Sequence, residues 1–467
     1  MFSRMDIQFN KILYICMIYI KMTDTTTFLP NQKAVSSDLL YSLKASSVPA
    51  RSYRGSIPTT NAQTFAPGSV AVSYIPGGRR NTFLDTTQSY IRFTVQNNGA
   101  NVFNADHSGA GYINRLDVFH GSNALESVQS YNVLFNAITD IQTNTSQKLG
   151  LQNSFGFGTA TSGRNGLAIA SGAKQTFCLP ILSGVVGVGL DKMLPLHSLS
   201  DDIRLEFTFE NADNAVCWTT GTSTAWSIIN FELELQIVEL GDEGMSMINS
   251  VSPLSQTLFL HGNSWRHYVS SLTSGYSGSF STLVPARFAS LKSLMVAPRR
   301  STEITSATSY SLSSRVNPNF ASYWWRVGSA LVPQKPVNLI NSNTTGGYAE
   351  GYTMIQSAWH GLGHFEMASS LSYAYYNVAD VADASGGAVI ALNTGANSYQ
   401  NGFLIQQELE TYAQRTDVML SGMNTLSSQV FFEANINTAP STAYTLDMYA
   451  NYDHILVVEN GIISVKF

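Results

Sequence analysis

Charge is what this chain has least of: Asp, Glu, Lys and Arg make up only 12% of its 467 residues, about half the usual share. Lys and Arg never run beyond the pairs Arg79-Arg80 and Arg299-Arg300, and the net charge is −5. A basic tail of the nucleic-acid-binding kind is therefore excluded. The three cysteines, Cys16, Cys178 and Cys217, form no even framework and no metal-type spacing. That argues against a disulfide scaffold and suits a reducing compartment. The apolar stretch Ile12–Ile20 holds nine residues between Lys11 and Lys21, too few to span a bilayer. No small-x-small cleavage site follows it. Residues 1–21 are expected either to precede a true start at Met22 or to form a membrane-touching segment. With so little charge, the polar surface must be built from Ser, Thr, Asn and Gln, as suits a surface covered by copies of itself.

What the chain does have is length, a hydrophobic content of 44% and a clear two-residue period. Those are enough for two domains with full cores. In Ile203–Glu210 apolar side chains fall at Ile203, Leu205, Phe207 and Phe209 with charged or hydroxyl residues between them, the pattern of a strand with one dry face. Phe231, Leu233 and Leu235 repeat it, and Val430 and Phe432 belong to a third such strand. These nine residues are the expected structural core. The layout itself recurs. Phe177 precedes Met193-Leu194 by 16 residues and Phe403 precedes Met419-Leu420 by the same 16. After each Met-Leu come a short polar link, a strand (Ile203–Phe209 or Val430–Ile436) and a closing strand (Ile229–Leu240 or Leu446–Val458). A period above about 200 residues is too long for a solenoid, so one domain type is used twice. The expected division is an N-terminal arm over 1–64, a first domain over 65–245 and a second over 246–467.

In chain order, Thr23–Pro76 is rich in Ser, Thr and Pro and reads as an arm lying along other surfaces. Tyr90–Val95 and Tyr112–Phe119 are expected strands. Leu125–Ile141 has apolar residues at 125, 128, 131, 134, 135, 138 and 141, which predicts an amphipathic helix ornamenting a β domain. Thr143–Ser171 and His360–Asn401 read as large exposed loops, Gly241–Leu260 as the link between halves, and Phe288–Val296 as a strand. Tyr348–Tyr352 sits where the first half has its helix.

These residues carry a resemblance. The order strand, Gly-Ser corner, helix, then Leu194-Pro195-Leu196 and the alternating Leu199–Glu206 is similar to that of the double jelly-roll major capsid proteins of DNA viruses. The group includes those of virophages, polinton-like viruses, large eukaryotic DNA viruses and the adenovirus hexon. In the second half, Pro285-Ala286-Arg287 with Ser290-Leu291-Lys292, Arg315 with Asn317-Pro318, and Trp325–Gly328 through Pro333 and Pro336 to Tyr348-Ala349-Glu350 resemble the second-barrel pattern of the eukaryotic-virus members. The resemblance covers roughly 65–467. It implies an all-β chain of two tandem eight-stranded jelly-roll sandwiches with short helices in the loops. It further implies homotrimeric, pseudo-hexameric capsomers in an icosahedral shell, with penton and minor capsid proteins and an internal membrane or scaffold as partners. It implies no cofactor, no metal and no catalytic residue.

Enzyme readings are weaker. His360-Gly-Leu-Gly-His364 lacks the glutamate that a zinc hydrolase places after its first histidine, and its glycines disfavour a helix; loop histidines are expected. Gly158–Asn165 has the glycine spacing of a phosphate loop but offers Arg164 and Asn165 where Lys and Ser or Thr are required. Gly184–Gly189 is followed by no βαβ unit. Glu206, Glu210, Glu232 and Glu234 could suggest a glycosidase pair, yet on strands they share the outward parity of a solvated or interfacial face. Tyr323, Trp324, Trp325 and Trp359 could stack sugars, but packing is the expected use. Asn144-Thr-Ser and Asn343-Thr-Thr match glycosylation acceptors by chance frequency. Two alternatives stay open: a single-jelly-roll capsid protein with a projecting domain, and a tandem β-sandwich that binds carbohydrate. The first usually carries a basic interior arm, and Thr23–Ala50 offers only Lys33 and Lys44.

Overall fold

The computed structural model describes residues 46–158, 166–218, 225–251, 257–339, 348–362, 369–380, 401–412 and 418–467. The N-terminal segment 1–21, His364, the Asn343 acceptor and the end of the phosphate-loop-like stretch at Gly163-Arg164-Asn165 lie outside the described residues. Val48–Phe467 forms one unit.

Among the described residues, the two main sheets of the first half are built from eight strands: β1 (Ala50–Pro58), β2 (Val70–Ile75), β3 (Thr82–Asn97), β4 (Ile113–His120), β5 (Asn123–Val128), β6 (Lys174–Pro180), β7 (Ile203–Phe209) and β8 (Trp226–Leu240). They pair antiparallel into two sheets of order β1-β8-β3-β6 and β2-β7-β4-β5. The second half supplies β9 (Thr257–Leu272), β10 (Gly278–Val284), β11 (Leu291–Arg300), β12 (Phe320–Val327), β13 (Ala330–Asn338), β14 (Ile405–Glu408), β15 (Val430–Ile436) and β16 (Tyr444–Glu459). Their sheets run β9-β16-β11-β14 and β10-β15-β12-β13. Adding eight to each strand number of the first half reproduces the second. Two jelly rolls of identical strand order therefore follow one another, and the all-β reading of the sequence holds.

Alternation explains why these segments became strands. In β7 every second residue is buried, so one face enters the core and the other carries Arg204, Glu206 and Thr208. Ile203, Leu205, Phe207 and Phe209 are buried, as are Phe231, Leu233 and Leu235 on β8 and Val430 and Phe432 on β15. The two sheets meet through aromatic rings: Phe207 of β7 lies 5.0 Å from Phe231 of β8, and Phe231 stacks at 5.8 Å on Phe93 of β3, within the range where such pairs add to burial.

Three expectations need correction. Ala50–Pro58 does not lie in a free arm: it is an edge strand paired with β8 from Ala50↔Leu240 to Pro58↔Glu232. Leu125 and Val128 belong to β5, which covers the edge of β4 with Leu116 opposite Val128; the helix α1 begins only at Tyr131 and ends at Gln142. Ser130, with φ of +46°, separates the two. The helix is also no ornament, because ten of its residues are buried. Within Thr143–Ser171, finally, Thr145–Gly150 is a helix whose capping box joins Asn144 and Gln147, so the Asn144 side chain is engaged in accepting from Gln147 N. The second half has its counterpart of α1 in α2 (Ala349–Ala358), again between the sixth-strand and fifth-strand equivalents.

Candidate functional site: the seam between the barrels

The described residues bring no catalytic constellation together from the glutamates named above. Glu232 and Glu234 both hold Arg92, Glu234 Oε1 at 3.0 Å from its Nε. Glu206 pairs with Arg204. Glu210 departs from the expected outward parity: it is buried and accepts hydrogen bonds from Asn114, Asn132 and Asn214. Glu234 is buried as well. A carboxylate held by Arg or by several amide donors is committed to that contact rather than poised as a general acid or base. The aromatics are likewise occupied: Tyr323 and Trp325 are buried, Trp324 Nε1 donates to Glu433 at 2.6 Å, and Trp359 stacks on Trp265 at 6.0 Å.

What the fold concentrates instead is buried polarity where one barrel meets the other. Near the end of α1, Asp140 binds Lys148 Nζ at 2.5 Å and Arg315 Nη2, with His107 Nε2 at 3.4 Å; all four side chains are fully buried. Arg315 precedes β12, so this cluster joins the halves. Asp140's backbone carbonyl also accepts from Ser369 and Ser370. Asp106 reaches across in the opposite sense, accepting from Leu312 N at 2.7 Å and from Ser313 Oγ at 2.5 Å. Burial pushes its carboxyl up to about 7, against those hydrogen bonds, which favour the charged form. Glu126 of β5 accepts from Gly184 N at 2.9 Å and from the hydroxyls of Ser183 and Ser264, the last on β9. Tyr449 of β16 donates to Ser130 O at 3.0 Å. Glycine is required here: at Gly189 a Cβ would stand 2.1 Å from Asn263 O, and that close approach lets Asn263 N donate to Gly189 O at 2.7 Å.

His261 of β9 spans the seam too, with Nδ1 at 2.6 Å from Asp191 and Nε2 at 3.2 Å from Asp453. Asp453, ahead of an opposing burial effect, and Asp191 hold its pKa above the ordinary histidine value. A raised histidine gives stability that is complete below its unfolded value of about 6.5 and is lost as pH rises through the folded value. The melting temperature lost in a His261→Asn variant should thus be larger at about pH 5.5 than at about pH 8.5. Equal losses at both would remove the charged histidine from the seam.

Beside this seam lies a cleft of about 710 Å³, walled by Phe135, Leu182, Trp265 and Trp359, with His360, Glu408 and Glu410 also lining it. No helix among the described residues is long and apolar enough to cross a membrane.

No protein-family model matches the chain, and no curated protein matches it in sequence. Solved structures do match its fold. The quasi-atomic model of the PBCV-1 virus capsid superposes with a TM-score of 0.60 at 9% identity, covering 92% of this chain and 99% of that one. The Sputnik virophage structure gives 0.55 at 12% identity over 94% and 93%. The mavirus major capsid protein gives 0.54 at 11% identity over 95% and 96%. The chain therefore has the double jelly-roll fold of these viral capsid proteins along nearly its whole length.

Proposed function

We propose that this chain is a major capsid protein, a structural protein of the virion that assembles with copies of itself into an icosahedral shell. The observation that carries the reading is the pairing of two jelly rolls of one strand order in a single block, fastened by a buried polar seam. Such a block offers similar side faces twice. A threefold cluster of it then presents a near-hexagonal outline that tiles a closed lattice.

Surface chemistry supports the same reading. Val70 of β2, Val269 of β9, Leu283 of β10 and Leu331 of β13 point large apolar side chains outward, as an interface between copies requires. The scarcity of charge lessens repulsion between neighbours. Penton and minor capsid proteins, and an internal membrane, are the further partners of such a shell. The protein works without catalysis or cofactor in this role. The residues 65–245 and 246–467 act as its two barrels, with Ala50–Pro58 added to the first.

Light scattering on the purified full chain should give a trimer, and electron microscopy hexagonal, three-lobed particles. A strictly monomeric species under assembly conditions would overturn the proposal, as would turnover or tight retention on a glycan array.

A further inference from the structure

Where α2 ends, the backbone turns through Trp359 into His360, whose φ of +56° is left-handed, a region a side-chain-bearing residue enters only at a cost. The turn places the imidazole between two carboxylates. Nδ1 lies 3.5 Å from Glu408 Oε1 and Nε2 lies 3.2 Å from Glu410 Oε2. One ligand atom from each of the three residues falls within 4.8 Å of the others.

The remaining oxygens are held in place. Glu408 Oε2 accepts from Ser357 Oγ at 2.7 Å. Glu410 Oε1 accepts from Ser421 Oγ at 3.1 Å and faces Lys292 Nζ at 2.7 Å. Outer partners that orient one oxygen of each carboxylate and leave the other toward the imidazole are the kind that position metal ligands. Glu408 Oε1, by contrast, makes no hydrogen bond among the described residues and faces His360 Nδ1 at 3.5 Å. A carboxylate oxygen with so distant a partner is poorly satisfied, and a cation held among the three residues would satisfy it. The cleft gives solvent access to the same three residues, leaving room for water to complete a coordination shell.

We propose that His360, Glu408 and Glu410 bind a divalent cation of the zinc class at the edge of the inter-barrel cleft. One imidazole and two carboxylates suit zinc-like ions, whereas calcium and magnesium prefer an all-oxygen shell. Lys292 neutralises part of Glu410's charge, so the affinity belongs in the micromolar range rather than that of a closed structural site. The ion ties the turn after α2 to the end of β14, two segments that no strand pairing joins among the described residues. This inference is independent of capsid assembly.

The test is titration of the chelator-treated full chain with Zn²⁺, and with Co²⁺ followed by its visible absorption. One ion should bind per chain and raise the melting temperature. His360→Ala and Glu408→Gln should each weaken binding about tenfold or more while melting like the parent in chelator. The proposal is overturned if the parent binds neither ion more tightly than about 100 µM. It is overturned equally if both variants, folded, bind as the parent does. Should the variants not fold, zinc-edge absorption spectra of the loaded parent decide: a shell of light ligands with a single imidazole supports the site, and any other shell removes it.

Discussion

Asp140→Ala should lower the stability of the chain by about 3–5 kcal/mol, read as a fall in the denaturation midpoint. The carboxylate faces Lys148 and Arg315 with no solvent at any of the three side chains. Removing it takes the shared carboxylate from two cations in a medium that cannot hydrate them, and that loss costs more than a surface ion pair ever returns. The backbone carbonyl of Asp140 keeps its bonds from Ser369 and Ser370 in the variant, so the measurement isolates the carboxylate. Because Arg315 comes from the second half, the loss should appear as a loosening between barrels, with protease cleavage increasing there. A triple replacement of Asp140, Lys148 and Arg315 by apolar residues of similar volume should recover most of the stability, since none of the three positions then buries a charge. A midpoint within about 0.5 kcal/mol of the parent for Asp140→Ala would show that the seam does not depend on this charge.

The contrast between that cluster and the strands explains what could be read from sequence. Duplication was legible because alternation is local: Phe177–Leu182 and Phe403–Glu408 overlap β6 and β14, and the segments after each Met-Leu pair fall on β7, β8, β15 and β16. β5 was hidden because Leu125 and Val128 stand three apart and extend the true helix pattern of α1 backwards. β1 was hidden for another reason. As an edge strand it has six exposed residues among nine and no fully buried one, so no apolar alternation marks it. Glu210 was misplaced because parity was continued one residue past the end of β7, where Asn114, Asn132 and Asn214 converge on it. The seam could not be read at all. His107, Asp140, Lys148 and Arg315 come from distant parts of the chain, and no spacing rule links them. The one available sign was Asp140 itself, a charge between Ile138 and Ile141 in a chain that uses charge sparingly. His360 with Glu408 and Glu410 is hidden for the same reason, because 48 residues or more separate the histidine from the two glutamates.

Phe207→Asp should yield no soluble, folded protein, the largest effect expected of any single replacement in β7. The ring is fully buried between the sheets of the first barrel, 5.0 Å from Phe231. An aspartate there has no cation and no donor within its new apolar surroundings, so it must be buried charged or protonated, and either is costly. Phe207→Ala separates the cavity from the charge: it should remain folded but weakened by about 3–5 kcal/mol. Thr208→Asp supplies the control. Thr208 lies on the opposite face, opposite Arg115 in the strand pairing, and a carboxylate there should change stability by no more than about 0.5 kcal/mol. Reversal of the order, with Phe207→Asp tolerated and Thr208→Asp not, would mean that β7 is shifted by one residue, since a single-step slip exchanges every side chain between core and surface. A shift of that kind would also turn Arg204 and Glu206 into the core, and with them would go the first barrel, the matched strand order of the two halves and the side faces through which trimers are proposed to form.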